Sequence, residues 1–283
     1  MKIIESSIFI IFLSFLWILY QKTLRKIYIP KIGHHKKSND IVTFNINKFP
    51  WSNKSFRSLT NLHTYSIILL QECFNECCDS LENWFPNYYI SRGILKGINL
   101  FNSGLAILSK YPILESEFHK YKNYNVRSLD CLSEKGFLSI LLQLDNGDNI
   151  RVINTHLQSS DYEKYDRYAL LQLQELLDYT RTLKEKYIIG GDFNMDSSLI
   201  LSRLQSTHST TLYSPKQPTI FIDFKKGMTS NTNKENYEGM IFDYFIACNV
   251  LLEEPVTISH TYSDHNLVVS KIILDTTKNQ KNK

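Results

Sequence analysis

Acidic, amide and imidazole residues recur at the ends of short apolar runs. Asn45 follows IVTF, Glu72 follows SIILLQ, His156 follows VINT, and Asp192 and Asn194 follow YIIGG. Asp243 lies within MIFDYF, and Asp264-His265 stands just before NLVV. A polar group is costly inside an apolar run unless something satisfies it, so this repeated placement points to one shared site at the rim of a sheet. The residue types suit hydrolysis of a phosphodiester. That reaction needs charge neutralised on the phosphoryl oxygens, an activated water, and help for the leaving oxygen. Hard carboxylate oxygens suit Mg²⁺, which is held by one or two carboxylates while waters and substrate phosphate complete the octahedron; Glu72 with Asp264 can serve in that way. Imidazoles paired with Asp would then handle protons.

Each of these residues has a plainer reading when taken alone. Asn45 would be a strand-end cap, Glu72 a carboxylate at a helix N-terminus, and His156 a hydrogen-bonded core histidine. Asp192 would start a turn after Gly190-Gly191, and Asp264-His265 would cap a strand. The ordered set outweighs these separate readings.

The elements that must position the set alternate strand and helix. IVTFNI (41–46), a helix over about 55–65, SIILLQ (66–71), GLAILS (104–109), GFLSILLQL (136–144) and NIRVINTH (149–156) come first. Asp145-Asn146-Gly147-Asp148 joins the last two as a hairpin. A long helix over 162–184 carries Ala169, Leu173, Leu176, Leu177, Thr180 and Leu183 on one face. KYIIGG (186–191), MIFDYFIA (240–247) and NLVVSKIIL (266–274) follow, with apolar runs continuous enough for burial on both faces. Sheets covered by helices fit this pattern, whereas all-α and all-β folds do not.

In type and order, LLQE (69–72), SGLAILSKYPI (103–113), NTHL (154–157), GGDFN (190–194), FDYF (242–245) and SDH (263–265) resemble the motif blocks of the endonuclease/exonuclease/phosphatase superfamily. Within it the chain looks most like the neutral sphingomyelinases. That closer likeness rests on Glu72-Cys73-Phe74-Asn75, Lys135-Gly136-Phe137, Thr155-His156-Leu157-Gln158 with Asp161, and Arg167, Gln172 and Leu173; Asn75 stands where an acidic residue is common. The resemblance implies an α+β, DNase-I-like fold, a four-layer α/β/β/α sandwich. It implies that Glu72, Asn45 and Asp264 serve the metal, Mg²⁺ with Mn²⁺ as the alternative. His265 and Asp192 would act on the attacking water, and either could be its base. Asp243 would orient His265, and His156 and Asn194 would donate to phosphoryl oxygens. No other cofactor is implied.

At 283 residues, 43% hydrophobic and 21% charged, the chain has the make-up of a folded protein and is too apolar for a disordered one. Residues 3–20 (IIESSIFIIFLSFLWILY) are almost wholly apolar, and as a helix would span about 27 Å. No small-residue cleavage site follows, so residues 1–25 read as a membrane anchor in preference to a signal peptide, with 26–39 a basic linker, 40–275 the catalytic domain and 276–283 a polar tail. The basic flank, Lys22 to Lys37, then places the catalytic domain in the cytoplasm, with secretion the alternative. Five cysteines in no metal-ligand spacing agree with a reducing compartment. Seven Lys/Arg against two acids give residues 1–40 a charge of +5, leaving 25 minus 26, or −1, for the rest. The domain therefore lacks the basic excess of a nucleic-acid binder, and a membrane lipid becomes the expected substrate partner. A nuclease, or a phosphatase for nucleotides or inositol phosphates, is the alternative within the same chemistry, and an inactive scaffold the alternative outside it.

Overall fold

The apolar runs fold into two sheets laid face to face. In the computed structural model, residues 27–30, 37–48, 52, 54–74, 81–93, 101–126, 128–159, 167–204, 209–223 and 228–274 are described. With strands numbered along the chain, one sheet runs in the order β1 (Ile27–Tyr28), β4 (Tyr89–Arg92), β5 (Ala106–Ser109), β3 (Ile67–Cys73), β2 (Asp40–Lys48), β17 (Leu267–Ile273) and β15 (Leu251–Leu252). The short β16 (Val256–Ile258) also pairs with β17. The second sheet runs β10 (Thr210–Tyr213), β14 (Asp243–Cys248), β9 (Tyr187–Asp192), β8 (Asn149–His156), β7 (Gly136–Gln143) and β6 (Ile113–Lys120). A small third sheet holds β12 (Met228–Ser230), β11 (Ile220–Asp223) and β13 (Glu238–Met240).

Period-two alternation divides the side chains among three apolar layers. Ile41, Ile67 and Leu69 meet Ile150, Val152, Ile188, Phe245 and Ala247 between the sheets. On the outer face of the first sheet, Val42, Phe44, Ile68 and Leu70 pack under Leu59, Leu62, Leu81 and Phe85. On the outer face of the second, Ile153, Ile189, Tyr244 and Ile246 pack under Leu173, Leu176, Leu177, Ile200 and Leu204. The covering elements are the 3-10 segment Phe56–Thr64 with the short helix Leu81–Trp84 on one side, and the helices Arg167–Thr180 and Ser197–Leu204 on the other. These are the four α/β/β/α layers expected.

Topology explains why the candidate residues meet. Each sheet contains one parallel pair, β2 with β3 and β8 with β9. Parallel strands end at the same rim, which brings Asn45 beside Glu72 and His156 beside Asp192. The antiparallel neighbours β17 and β14 begin where those pairs end. Asp264-His265 and Asp243 therefore join the same rim.

Some elements differ from the sequence expectation. The helix over 55–65 is a 3-10 segment, and its residues FRSLTNLHT include Ser, Thr, Asn and His, whose side chains compete for local backbone bonds; Ser55 caps it by accepting from the Arg57 N–H. The helix over 162–184 is described as Arg167–Thr180, with the predicted face Ala169, Leu173, Leu176, Leu177 and Thr180 buried. Strand β6 and the small third sheet had no clear signal, since their burial patterns are mostly intermediate or exposed.

The apolar segment of residues 3–20 and the anchor over 1–25 lie outside the described residues, as do Asn75, Asp161 and the tail 276–283. Among the described residues no helix is long and apolar enough to cross a membrane. The expectation of a single-pass membrane protein with a cytoplasmic catalytic domain is therefore corrected: no described helix supplies the span it needs. The physical reason is that the apolar runs among the described residues are strands of the sandwich, and the longest α-helix among them, Arg167–Thr180, is amphipathic and 14 residues long, short of the roughly 20 a bilayer needs.

Candidate active site

Asp192 is the hub of the rim. Its Oδ2 accepts from Asn45 Nδ2 at 3.1 Å and lies 3.6 Å from His265 Nε2 and 3.7 Å from His156 Nε2. Its Oδ1 accepts from the Asn194 backbone N–H at 2.9 Å. The second hydrogen bond of Asn45 Nδ2 goes to Glu72 Oε1 at 2.9 Å, and that oxygen lies 3.9 Å from His156 Nε2. On its far side His265 places Nδ1 3.0 Å from Asp243 Oδ2. The structure thus gathers Asn45, Glu72, His156, Asp192, Asp243 and His265 into one group.

Local backbone makes this possible. Strand alternation points Asn45, His156, Asp192 and Asp243 into the space between the sheets, in line with the apolar residues below them. Glu72 follows the inward-facing Gln71 and would face outward, but its φ of +52° breaks the alternation. The Gly190 of GGDFN permits close approach of the sheets, because a Cβ there would lie 2.5 Å from Leu69 Cδ1 and 2.8 Å from Phe245 Cδ1.

Two predicted residues are tied down at the edge of the group. Asp264 accepts from Asn47 Nδ2 at 2.7 Å and Ser263 Oγ at 3.1 Å on one oxygen, and from Thr229 Oγ1 on the other. Asn194, at φ +49°, donates its side-chain amide to the Leu157 carbonyl at 2.9 Å. The sequence reading missed Asn47, Thr229 and Asp130, and noted Lys135 only for its resemblance. Lys135 Nζ sits 3.4 Å from both ring nitrogens of His156 and 3.1 Å from Asp130 Oδ2. Asn47 had a usable signal, two residues beyond Asn45. Thr229 and Asp130 lie in an edge strand and a 3-10 turn with no periodicity to mark them. Gln158 and Gln172 brace the rim instead of lining it: Gln158 N donates to Gln172 Oε1 at 2.8 Å, and Gln172 Nε2 donates to the Asn123 carbonyl at 2.8 Å.

Burial sets the protonation of the group. It raises the Asp192 carboxyl to about 7, against His265, whose charge pulls it down. It also raises Glu72, where the Asn45 hydrogen bond opposes and the charge of Asp264 adds. Burial would lower His265, but Asp243, Asp192 and Asp264 outweigh it and lift the imidazole to about 10. His156 is pushed well below its ordinary range by burial and then by Lys135, so it is neutral. Asp264 ends below the usual carboxylate range because His265, Thr229 and Asn47 outweigh its burial. Two carboxyls whose protonation is favoured by burial fit a divalent cation, whose charge would offset that desolvation. Asp192, Asp243 and His265 offer ligand atoms within 4.8 Å of one another, and Glu72 supplies a hard oxygen that shares the Asn45 amide with Asp192.

Residues 42–265 match the family described as the Endonuclease/Exonuclease/phosphatase family. Among curated proteins, a phospholipase C of Staphylococcus aureus is 36% identical over 103 residues, 34% of this chain and 30% of that protein. A sphingomyelinase of Dictyostelium discoideum is 30% identical over 176 residues, 48% of this chain and 38% of that protein. The chain thus spans about a third of the length of these relatives. Among solved structures, a beta toxin variant from Staphylococcus aureus with bound magnesium ions matches with a TM-score of 0.63 and 20% identity, covering 83% of this chain and 99% of that one. D. rerio TDP2 complexed with a single-strand DNA product matches with a TM-score of 0.66 and 15% identity, covering 84% and 100%. At such identities these likenesses establish the DNase-I-like fold.

Proposed function

The chain belongs to the endonuclease/exonuclease/phosphatase family, and from that premise we propose that it is a Mg²⁺-dependent phosphodiesterase hydrolysing a phospholipid of the sphingomyelin type. The observation that carries the reading is the convergence of Asn45, His156 and His265 on the buried carboxylate of Asp192, with Glu72 sharing Asn45. Glu72 and Asn45 hold the cation, with Asp264 braced next to them; bound Mg²⁺ supplies charge neutralisation at the phosphoryl oxygens.

The remaining work belongs to side chains. Asp243 accepts from His265 Nδ1 and fixes its tautomer, leaving Nε2 turned toward Asp192. His265 Nε2 and Asp192 Oδ2 bracket the attacking water; Asp192 can take its proton directly, and His265 can do so only after giving up its own. His156, neutral beside Lys135, donates with Asn194 to the phosphoryl oxygens as negative charge develops. We assign this machinery to a catalytic domain over 40–275.

A lipid substrate is supported by the names of the curated relatives and by the charge of −1 carried by residues 41–283. That charge gives little electrostatic pull toward nucleic acid. The test incubates the purified full chain and MgCl₂ with sphingomyelin vesicles, phosphatidylcholine vesicles, an abasic-site DNA duplex and inositol polyphosphates, and repeats each with MnCl₂, with EDTA and with His265→Ala. The expected result is release of the phosphorylated headgroup from sphingomyelin, lost with EDTA and with His265→Ala. Cleavage of DNA without lipid would overturn the lipid reading. Activity surviving EDTA or His265→Ala would overturn the mechanism.

A further inference from the structure

Directly beneath the rim, between the two sheets, lies a polar step that the proposed chemistry does not use. Thr43, Gln71 and Asn154 are each fully buried. Gln71 Nε2 donates to Thr43 Oγ1 at 3.0 Å within the first sheet and to Asn154 Oδ1 of the second at 2.6 Å. Asn154 Nδ2 returns across the gap to the main chain of the first sheet, donating to the carbonyls of Leu70 at 2.8 Å and Ala106 at 3.0 Å. Those two bonds fix which way the Asn154 amide faces, and its oxygen then fixes the orientation of Gln71. Gln71 Oε1 is left buried with no hydrogen-bond partner.

Such an arrangement is costly where apolar contacts would serve. One layer below, Ile67 and Leu69 meet Val152 and Ile188 with no polar atoms involved. A buried acceptor without a donor opposes folding, so its retention calls for a reason beyond cohesion. The reason lies in what each residue adjoins. Thr43 is one inward step below Asn45, Asn154 one inward step below His156, and Gln71 is bonded to Glu72. Apolar packing between sheets resists separation but permits sliding, whereas hydrogen bonds fix direction and register.

We infer that Thr43, Gln71 and Asn154 form a polar crossbeam that sets the separation and register of the cation-holding half of the site, Asn45 and Glu72, against the proton-handling half on the second sheet. They are positioning residues, acting through the groups above them. The inference rests on the proposed site, and its test includes readouts that need no substrate.

The decisive variant is the double replacement Gln71→Leu with Asn154→Leu, which removes the Gln71–Asn154 bond and the unpartnered Gln71 oxygen together, while the Leu70 and Ala106 carbonyls and Thr43 Oγ1 lose a donor, so a moderate loss of stability accompanies it. It is compared with the parent in the full chain by thermal melting, by calorimetric titration with Mg²⁺, by imidazole nitrogen NMR shifts of His156 and His265, and by kcat and KM on the substrate cleaved by the parent. The expected outcome is a folded variant with a moderately lowered melting temperature, displaced His156 and His265 shifts, Mg²⁺ binding weaker by roughly 10- to 100-fold, and a fall in kcat with little change in KM. Thr43→Val covers the case in which the double variant does not fold; it removes one acceptor with little change of shape, and smaller changes of the same sign are expected. Parental histidine shifts and parental Mg²⁺ affinity in either folded variant would overturn the crossbeam. Failure of the parent to cleave any phosphodiester would instead count against the proposed function, and the histidine shifts would still judge the crossbeam.

Discussion

Replacing Asp243 by Asn perturbs the group on which the protonation of the site most depends, at almost constant shape. The carboxylate is fully buried, and its Oδ2 lies 3.0 Å from His265 Nδ1. Asparagine either presents an N–H to a ring nitrogen that already carries a proton, or accepts through an uncharged oxygen. A buried hydrogen bond involving a charged group contributes roughly 1.5–3 kcal/mol. At about 1.4 kcal/mol per factor of ten, its loss lowers kcat by roughly 10- to 150-fold. If the amide selects the other tautomer, the loss approaches the roughly 10⁴-fold recorded when the orienting Asp of a hydrolytic triad becomes Asn. The same change acts on the charge of His265. Burial favours the neutral ring, and Asp243 leads the carboxylates that hold it up to about 10. The expected result is therefore a kcat reduced by roughly 10- to 10⁴-fold with KM little changed. A His265 titration midpoint moved to lower pH, followed by imidazole NMR in EDTA, should accompany it. An unchanged kcat together with an unmoved His265 titration would refute the assignment of Asp243 as the orienting group.

Three further outcomes follow from the same geometry. Gly190→Ala should cost about 1–3 kcal/mol in urea unfolding, because its Cβ would meet Leu69 Cδ1 at 2.5 Å and Phe245 Cδ1 at 2.8 Å; Leu69→Val should recover part of it, and simple additivity of the two changes would count against the clash. Burial raises Glu72, so protons compete with Mg²⁺ at that carboxyl; the gain in melting temperature on adding MgCl₂ should be larger at pH 8 than at pH 5.5, and the reverse order would contradict cation binding there. His156 has a folded pKa depressed by burial and by Lys135, so its contribution to stability is present above its unfolded value of about 6.5 and is lost as pH falls below it. His156→Gln should accordingly flatten the loss of melting temperature between pH 7 and 5 relative to the parent, and an unchanged acid limb would argue that His156 is not the titrating group.

Much of the molecule is legible in its order of residues. The strands around Asn45, Glu72, His156, Asp192 and Asp264-His265 follow from apolar runs closed by polar residues, and the hairpin at Asn146-Gly147 from turn chemistry alone, with Gly147 at φ +81°. Burial on one or both faces is a property of each segment, and periodicity records it. The apolar run of residues 3–20 marked a different limit: hydropathy alone suggested an anchor, the run lies outside the described residues, and among those no helix is long and apolar enough to span a membrane.

What the sequence determined by itself was the cast: which strands exist, which residues cap them, and that those residues are of the kinds that hydrolyse phosphodiesters. What only the tertiary structure decided was their relations. Strand ends are brought to one rim by a parallel pair in each sheet, and closure of the two sheets then joins residues as far apart as Asn45 and Asp192, 147 positions along the chain. Asp264 turned out braced on both oxygens by Asn47, Ser263 and Thr229, and His156 was set against Lys135 and Asp130. The physical reason is that propensity and periodicity act over a few residues, whereas charge, desolvation and hydrogen-bond geometry depend on distances that exist only once both sheets have closed on each other.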